Sequence, residues 1–233
     1  MQVAAWLFDE TAHAGLEHLD PAYVDAYDQK SAYDPSRDVA RLRNLGLDGS
    51  SLVDLGCGTG LLAVAAAPFC RRVVAVDVSA PMLEVLEARI RQRGITNVEC
   101  VRAGFLTYAH RGAPADFVCS RHALHHLPDF WKAMALVRLA AVLRSGGVFW
   151  MRDIMYSCDP LETGRVIENW LNGASGRRDI GWTRAELETH VRSEYSTFTW
   201  LLESMLERAG LAIREREFSD SRIYAAYTCV RAP

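Results

Sequence analysis

The chain has 233 residues and a mass of 26.0 kDa. Half of them are hydrophobic and 24% charged, a balance that permits a sizeable buried core and excludes a disordered or fibrous chain. With 26 basic against 29 acidic residues the net charge is −3, so there is no global basic field for nucleic acid or anionic lipid. No run of 18 apolar residues is present, so no membrane partner is expected. The first ten residues also lack a basic stretch followed by an apolar run, and a cytoplasmic protein is expected. Cysteines stand at 57, 70, 100, 119, 158 and 229 without any C-x-x-C pair, which reads as buried reduced thiols and not as a metal site.

The first 48 residues carry helical patterns with Trp6, Phe8, Tyr23, Tyr27 and Tyr33, and read as a lid or cap, not as a separate domain. Short β-rich runs then alternate with helical patterns. Residues 51–56 form a strand-length apolar run ending in glycine, and 58–69 read as a helix stopped near Pro68. Residues 72–78 read as a buried strand. Ser79 and Pro81 then open a helix that closes at Gly94. Further strands are expected at 97–102, 115–120 and 148–153, with a helix over 130–143 ended by Ser145-Gly146-Gly147. Strand–helix–strand repeats of this length imply right-handed crossovers and a parallel sheet covered on both faces. In the tail, Thr183-x-x-Glu186 is a capping-box pattern, and a further helix is expected over 197–209. Residues 211–218 and 222–230 are β-rich and joined by only Ser219-Asp220-Ser221, too short for a crossover, so they should pair as an antiparallel hairpin at one sheet edge.

The run Val53-Asp54-Leu55-Gly56-Cys57-Gly58-Thr59-Gly60 falls at the first strand-to-helix turn, where open α/β sheets bind ligands. Glycine at 56, 58 and 60 lets the turn adopt positive φ and removes Cβ atoms from the ligand's path. A dinucleotide loop would place its third glycine at 61, where Leu61 stands. Asp54 inside the loop suits an ammonium or a sulfonium better than a pyrophosphate. Asp77 ends the second strand, where a carboxylate can accept both hydroxyls of a ribose.

The segments 53–60, 74–77, 115–120 and 143–148 resemble the successive motifs of class I S-adenosylmethionine-dependent methyltransferases. His125-His126-Leu127-Pro128-Asp129 is similar to a segment common in their small-molecule branch. The resemblance implies an α/β, Rossmann-like, doubly wound sheet of seven strands, mostly parallel with one antiparallel edge strand, beneath an N-terminal helical cap. It implies one methyltransferase domain: a cap over 1–48, a cofactor-binding core over 49–157, a helical acceptor-side segment over 158–210 and a hairpin over 211–233. The cofactor implied is S-adenosylmethionine, with Asp54, Gly56, Cys57 and Gly58 at its methionine end, Asp77 on the ribose, Val78 and Met82 near the adenine, and Gly60, Gly104, Phe105 and Arg121 also among the cofactor-binding residues. Gly104-Phe105 replaces the family's Gly-Asp after the third strand, so that either the Phe105 ring flanks the adenine or its backbone N–H contacts it, without the family's acidic contact to the amino group. Arg121-His122 stands where small or amide residues are common.

Methyl transfer from a sulfonium needs mainly an aligned acceptor, and a hydroxyl acceptor also needs a base. The cluster of His122, His125 and His126 followed by Asp129 reads as loop hydrogen bonding or a base, and no metal is expected; His122 is the first choice for the base because it lies closest to the fourth strand's end, and Asp153 is the second. Arg121 and Arg152 are candidates to clamp an acceptor carboxylate. Trp6, Tyr27, Tyr33, Trp170, Trp182, Tyr195 and Trp200 are candidate walls of an apolar acceptor pocket, and the polar stretch 172–179 reads as a loop on that side. The expected partner is a small-molecule methyl acceptor, with the chain a monomer or homodimer. Two rivals are a nicotinamide-dependent oxidoreductase and a protein that binds S-adenosylmethionine, or a modified form of it, without transferring methyl groups.

Overall fold

The structure, a computed structural model, describes residues 4–177 and 179–233. Strands β1 (Ser51–Leu55), β2 (Arg72–Asp77), β3 (Val98–Arg102), β4 (Ala115–Arg121) and β5 (Leu143–Tyr156) run parallel in the order β3-β2-β1-β4-β5. Beside β5 lies β8 (Tyr224–Arg231), antiparallel to it, and β7 (Leu211–Phe218) forms the rim. A two-residue strand β6 (Thr197–Phe198) pairs with the end of β5.

The hairpin sits at the expected edge, but its reversed strand is the inner member and the rim strand runs with the parallel set. Composition explains the order. β8 reads YAAYTCVR and is buried through its middle, so it needs neighbours on both sides. β7 reads LAIREREF, and its charged outer half is exposed, which blunts a sheet edge against further pairing.

The central strands bury residues on both faces in alternation, the period-two pattern of a sheet covered twice. Val53, Val74, Val118 and Phe149 belong to one core with Leu136 and Leu139 of α6 (Asp129–Val142). Leu52, Val73, Phe117 and Trp150 belong to the other, with Leu62 of α4 (Leu61–Ala66) and Leu86 of α5 (Ala80–Arg93). The start of α5 is set by Ser79, whose side chain accepts the Met82 N–H, and its end by Gly94 in the left-handed conformation. Such an N-cap contributes about 1 kcal/mol.

Three elements differ from their expected bounds. β5 starts at Leu143, straight after α6, because the pairing with β4 jumps from Ala115↔Leu143 to Phe117↔Val148. This bulge absorbs Ser145, Gly146 and Gly147, with Gly146 at φ +69. α4 starts only at Leu61, since 57–60 are taken up by the turn itself. The helix expected from 197 begins at Thr199 as α9 (Thr199–Arg208), because 197 and 198 are drawn onto β5.

The N-terminal segment is helical as expected: α1 (Leu16–Leu19), α2 (Pro21–Ser31) and α3 (Ser36–Asn44). α7 (Thr163–Asn172) and α8 (Arg184–Ser193) complete the chain, and Thr183 and Glu186 form the capping box that opens α8. Arg178 of the 172–179 stretch lies outside the described residues. All six cysteines are free thiols. Among the described residues no helix is long and apolar enough to cross a membrane.

Candidate active site

β1 and β2 pair with Asp54 opposite Ala75, so Asp54 and Asp77 project from the same face at neighbouring strand ends. Both line one cavity at the carboxyl end of the sheet, with Gly56, Cys57, Gly58, Val78, Met82, Gly104, Phe105, Arg121 and His122. The expected cofactor residue missing from that wall is Gly60. It caps α4 at φ +76, and a Cβ on it would lie 2.2 Å from a Leu86 methyl, so it closes the helix against α5 instead of facing a ligand.

Asp77 accepts the Gly58 N–H through Oδ2 and the Ser79 N–H through Oδ1, both at 2.8 Å. The carboxylate thus fixes the glycine loop while its remaining lone pairs stay available to a ligand. Asp54 is only 2% exposed, and its Oδ2 is buried without a hydrogen-bond partner among the described residues. A buried carboxylate oxygen without a partner calls for a cation. Burial, reinforced by the charge of Asp77, pushes the Asp54 pKa up to about 7. The ammonium and sulfonium of an adenosylmethionine are the complement this pocket lacks, and the residues fit that group.

The cap supplies the opposite wall through Glu10, Ala14, His18, Tyr27, Asp28, Ser31 and Tyr33, residues whose contacts no local pattern announces. It is latched to the glycine loop by Asp28, which accepts the Thr59 hydroxyl and pairs with Arg89 of α5, both at 2.5 Å. The Glu10 carboxylate accepts the Leu106 N–H at 3.0 Å and lies over Gly104, where a Cβ would meet it at 2.3 Å. Gly104 is therefore needed for the cap to close. Burial pushes Glu10 up to about 7. Tyr33 donates to Asp38 at 2.7 Å, and its ring lies 3.6 Å beneath the Arg121 guanidinium, which holds Arg121 against the cavity.

A second cavity of about 770 Å³ adjoins the first. His18, Tyr27, Ser31, Arg121, His122 and His126 line both. Of the expected aromatic walls, Tyr27, Trp170 and Trp182 line the second cavity, as do Tyr23 and Tyr224. Tyr33 lines only the first. Tyr195 lines neither, and Trp6 and Trp200 are surface residues at 70% and 55% exposure.

His122 sits at the junction in a left-handed backbone conformation, φ +50, which a non-glycine residue adopts at a cost and which is concentrated at functional sites. Burial, with Arg121 beside it, pushes its pKa down to about 3. It is a neutral imidazole, able to accept or donate a hydrogen bond, and not a strong base. Asp153 lines neither cavity. Strand alternation turns Arg152 and Ile154 toward the second cavity and Asp153 to the other face. There its Oδ1 lies 2.5 Å from His125 Nδ1, and its Oδ2 accepts the His125 N–H. Burial opposes its charge, but His125 holds the carboxyl well below the usual range, so Asp153 orients His125 and does not face an acceptor. Although burial works against the imidazolium, Asp153 and Glu194 raise the His125 pKa to about 9.

Strand order, glycine loop and the acid ending β2 define a Rossmann-like nucleoside-binding protein. The family profile described as a methyltransferase domain matches residues 52–147. An uncharacterized methyltransferase of Mycobacterium tuberculosis, Rv0089, is 30% identical over 156 residues, covering 61% of this chain and 76% of its own. The uncharacterized methyltransferase YcgJ of Bacillus subtilis is 28% identical over 133 residues, covering 57% of this chain, and the match spans 50% of its length. Among solved structures, a SAM-dependent methyltransferase from Aquifex aeolicus superposes with a TM-score of 0.63 at 18% identity, covering 92% of this chain and all of that one. The chain belongs to the class I S-adenosylmethionine-dependent methyltransferases. It is an enzyme of methyl transfer, and its cofactor is S-adenosylmethionine.

Cofactor affinity is expected to rise about tenfold between roughly pH 6 and pH 8, because below about 7 the cation must first drive a proton off Asp54. Asp54→Asn should flatten that slope and weaken binding throughout. Glu10→Gln, which removes the other carboxyl raised to about 7 at this cavity, should leave the slope in place. Titration calorimetry at several pH values checks both.

Proposed function

We propose that the enzyme methylates a small molecule that occupies the 770 Å³ cavity and has an aromatic or apolar body and an anionic group. The observation that carries this reading is the shared wall: six residues face both cavities, so a methyl group leaving the first enters the second. The volume is that of a small-molecule site, within the usual range of roughly 300–1,000 Å³. Tyr23, Tyr27, Trp170, Trp182 and Tyr224 offer apolar faces, while Arg121 and Arg152, paired across β4 and β5, offer a fork for a carboxylate or phosphate.

In this reading Asp54, Gly56, Cys57, Gly58, Asp77, Val78, Met82, Gly104, Phe105 and Arg121 hold the cofactor, and residues 1–233 work as one domain whose cap closes both sites. The bound cofactor supplies a methyl group already activated on a positively charged sulfur. The protein's share is alignment, which can contribute ~7–11 kcal/mol. His122, neutral at the junction, positions the acceptor through its hydrogen bond. Burial and the neighbouring His125 also hold the His126 pKa well below its usual value, so neither junction histidine is charged at neutral pH.

The test is a methylation assay over aromatic and aliphatic carboxylic acids, each beside its neutral methyl ester. Transfer to acids in preference to esters is expected, and Arg152→Ala should raise KM for the acids at least ~10-fold while S-adenosylhomocysteine affinity stays within about threefold. Transfer to protein or nucleic acid with no small acceptor methylated would overturn the reading.

A further inference from the structure

Three ligand-type side chains from two distant parts of the chain converge on the wall of the acceptor cavity. His125 comes from the turn after β4, His190 from α8, and Glu194 from the loop after α8. His125 Nε2 lies 3.0 Å from Glu194 Oε2, and His190 Nδ1 lies 2.5 Å from the same oxygen. One ligand atom from each residue falls within 4.8 Å of the others, close enough for small side-chain adjustments to bring two imidazoles and a carboxylate to about 2.0–2.2 Å from one ion.

The outer contacts are equally specific. Asp153 Oδ1 engages His125 Nδ1 at 2.5 Å, and the Ser196 hydroxyl engages His190 Nε2 at 2.9 Å. Each imidazole is thus held by one nitrogen while the other faces Glu194, the arrangement in which an outer polar group, a carboxylate for His125 and a hydroxyl for His190, orients a metal-binding histidine. The Tyr195 N–H donates to the His125 carbonyl at 2.9 Å and fastens the Glu194 loop to the turn.

Asp153 and Glu194 bring two negative charges to a largely buried place, and either protons on the imidazoles or a divalent cation can offset them. Glu194 Oε2 is buried and makes no hydrogen bond of proper geometry with either ring, so a cation between the three groups would satisfy it. We propose that His125, His190 and Glu194 form a binding site for a divalent first-row transition metal of the zinc type, with its open coordination position on the acceptor cavity. Two nitrogens and one carboxylate are a ligand set zinc accepts at sites that leave a position free. The side of the cavity that would take the acceptor's oxygen, sulfur or a water thereby gains a Lewis acid. This inference stands whether or not the acceptor carries an anionic group.

Untagged protein, stripped with a chelator and titrated with Co²⁺, is the test. One equivalent of Co²⁺ is expected, with visible d–d absorption that Zn²⁺ abolishes by displacement. His190→Ala and Glu194→Gln should each remove stoichiometric uptake, and Asp153→Asn should weaken it ~10–100-fold. S-adenosylhomocysteine binding, which uses none of these residues, should survive in every variant and so reports an intact fold. If His190→Ala fails that control, the nearly isosteric Glu194→Gln decides. No stoichiometric Co²⁺ uptake by the stripped protein, or uptake unchanged in Glu194→Gln, would overturn the proposal.

Discussion

Replacing Asp77 with alanine is expected to lower S-adenosylhomocysteine affinity by at least ~100-fold. Two effects combine. The ligand loses a charged acceptor for its hydroxyls, each such bond contributing ~1.5–3 kcal/mol. The loop also loses the anchor of the Gly58 and Ser79 amides, and buried N–H groups left unpaired cost ~1–3 kcal/mol each. Part of the stability loss is returned, because burial raises the Asp77 pKa and its charge is held at a cost in the free protein. The affinity loss should therefore exceed the loss of thermal stability. Asp77→Asn keeps one acceptor oxygen and should fall between wild type and alanine. Calorimetric titration beside thermal melts separates the two effects, and wild-type affinity in Asp77→Ala would refute this account of the site.

Gly56→Ala should be the most damaging single methyl in the cofactor loop. The residue sits at φ +72, and its Cβ would lie 2.2 Å from the Cβ of Ala123, an atom fixed to backbone. The left-handed conformation costs about 1–2 kcal/mol for an L-residue, and overpacking adds about 1–3 kcal/mol. For a chain of this length the sum lowers Tm by roughly 4–20 °C, with cofactor binding lost as the loop shifts. Gly58→Ala separates the two contributions: its φ is +53, but the nearest atom to a Cβ there is Met82 Sδ at 4.0 Å, so only the conformational part applies. Ala123→Gly should restore much of the stability of Gly56→Ala and none of that of Gly58→Ala. A double-mutant cycle read by thermal melts measures this.

What could be read from the chain was local. Val53–Gly60 announces a strand, a turn and a helix start within eight residues, and Ser79 and Gly94 mark α5 through capping chemistry that acts over one turn. The inner place of β8 was also written in its apolar composition, although pairing rules alone pointed only to a hairpin. Asp153 shows where residue type misleads: an acid at a strand end looks catalytic until the alternation through Arg152 and Ile154 settles its face. Gly60 misleads in the same way, since its need for positive φ comes from α5 packing and not from a ligand. Asp28 with Thr59 and Arg89, Glu10 over Gly104, and His125 with His190 join residues 31 to 94 positions apart. Such closures leave no periodicity behind and depend on the whole chain having folded.

The partition made by His18, Tyr27, Ser31, Arg121, His122 and His126 has one last consequence. Two guests pressed against opposite sides of the same thin screen of side chains cannot be energetically strangers. By whatever factor the spent nucleoside alters the enzyme's hold on the acceptor, the acceptor alters the hold on the nucleoside by that same factor. With the acceptor placed as proposed above, the affinities for the two ligands are tied together by a single coupling constant.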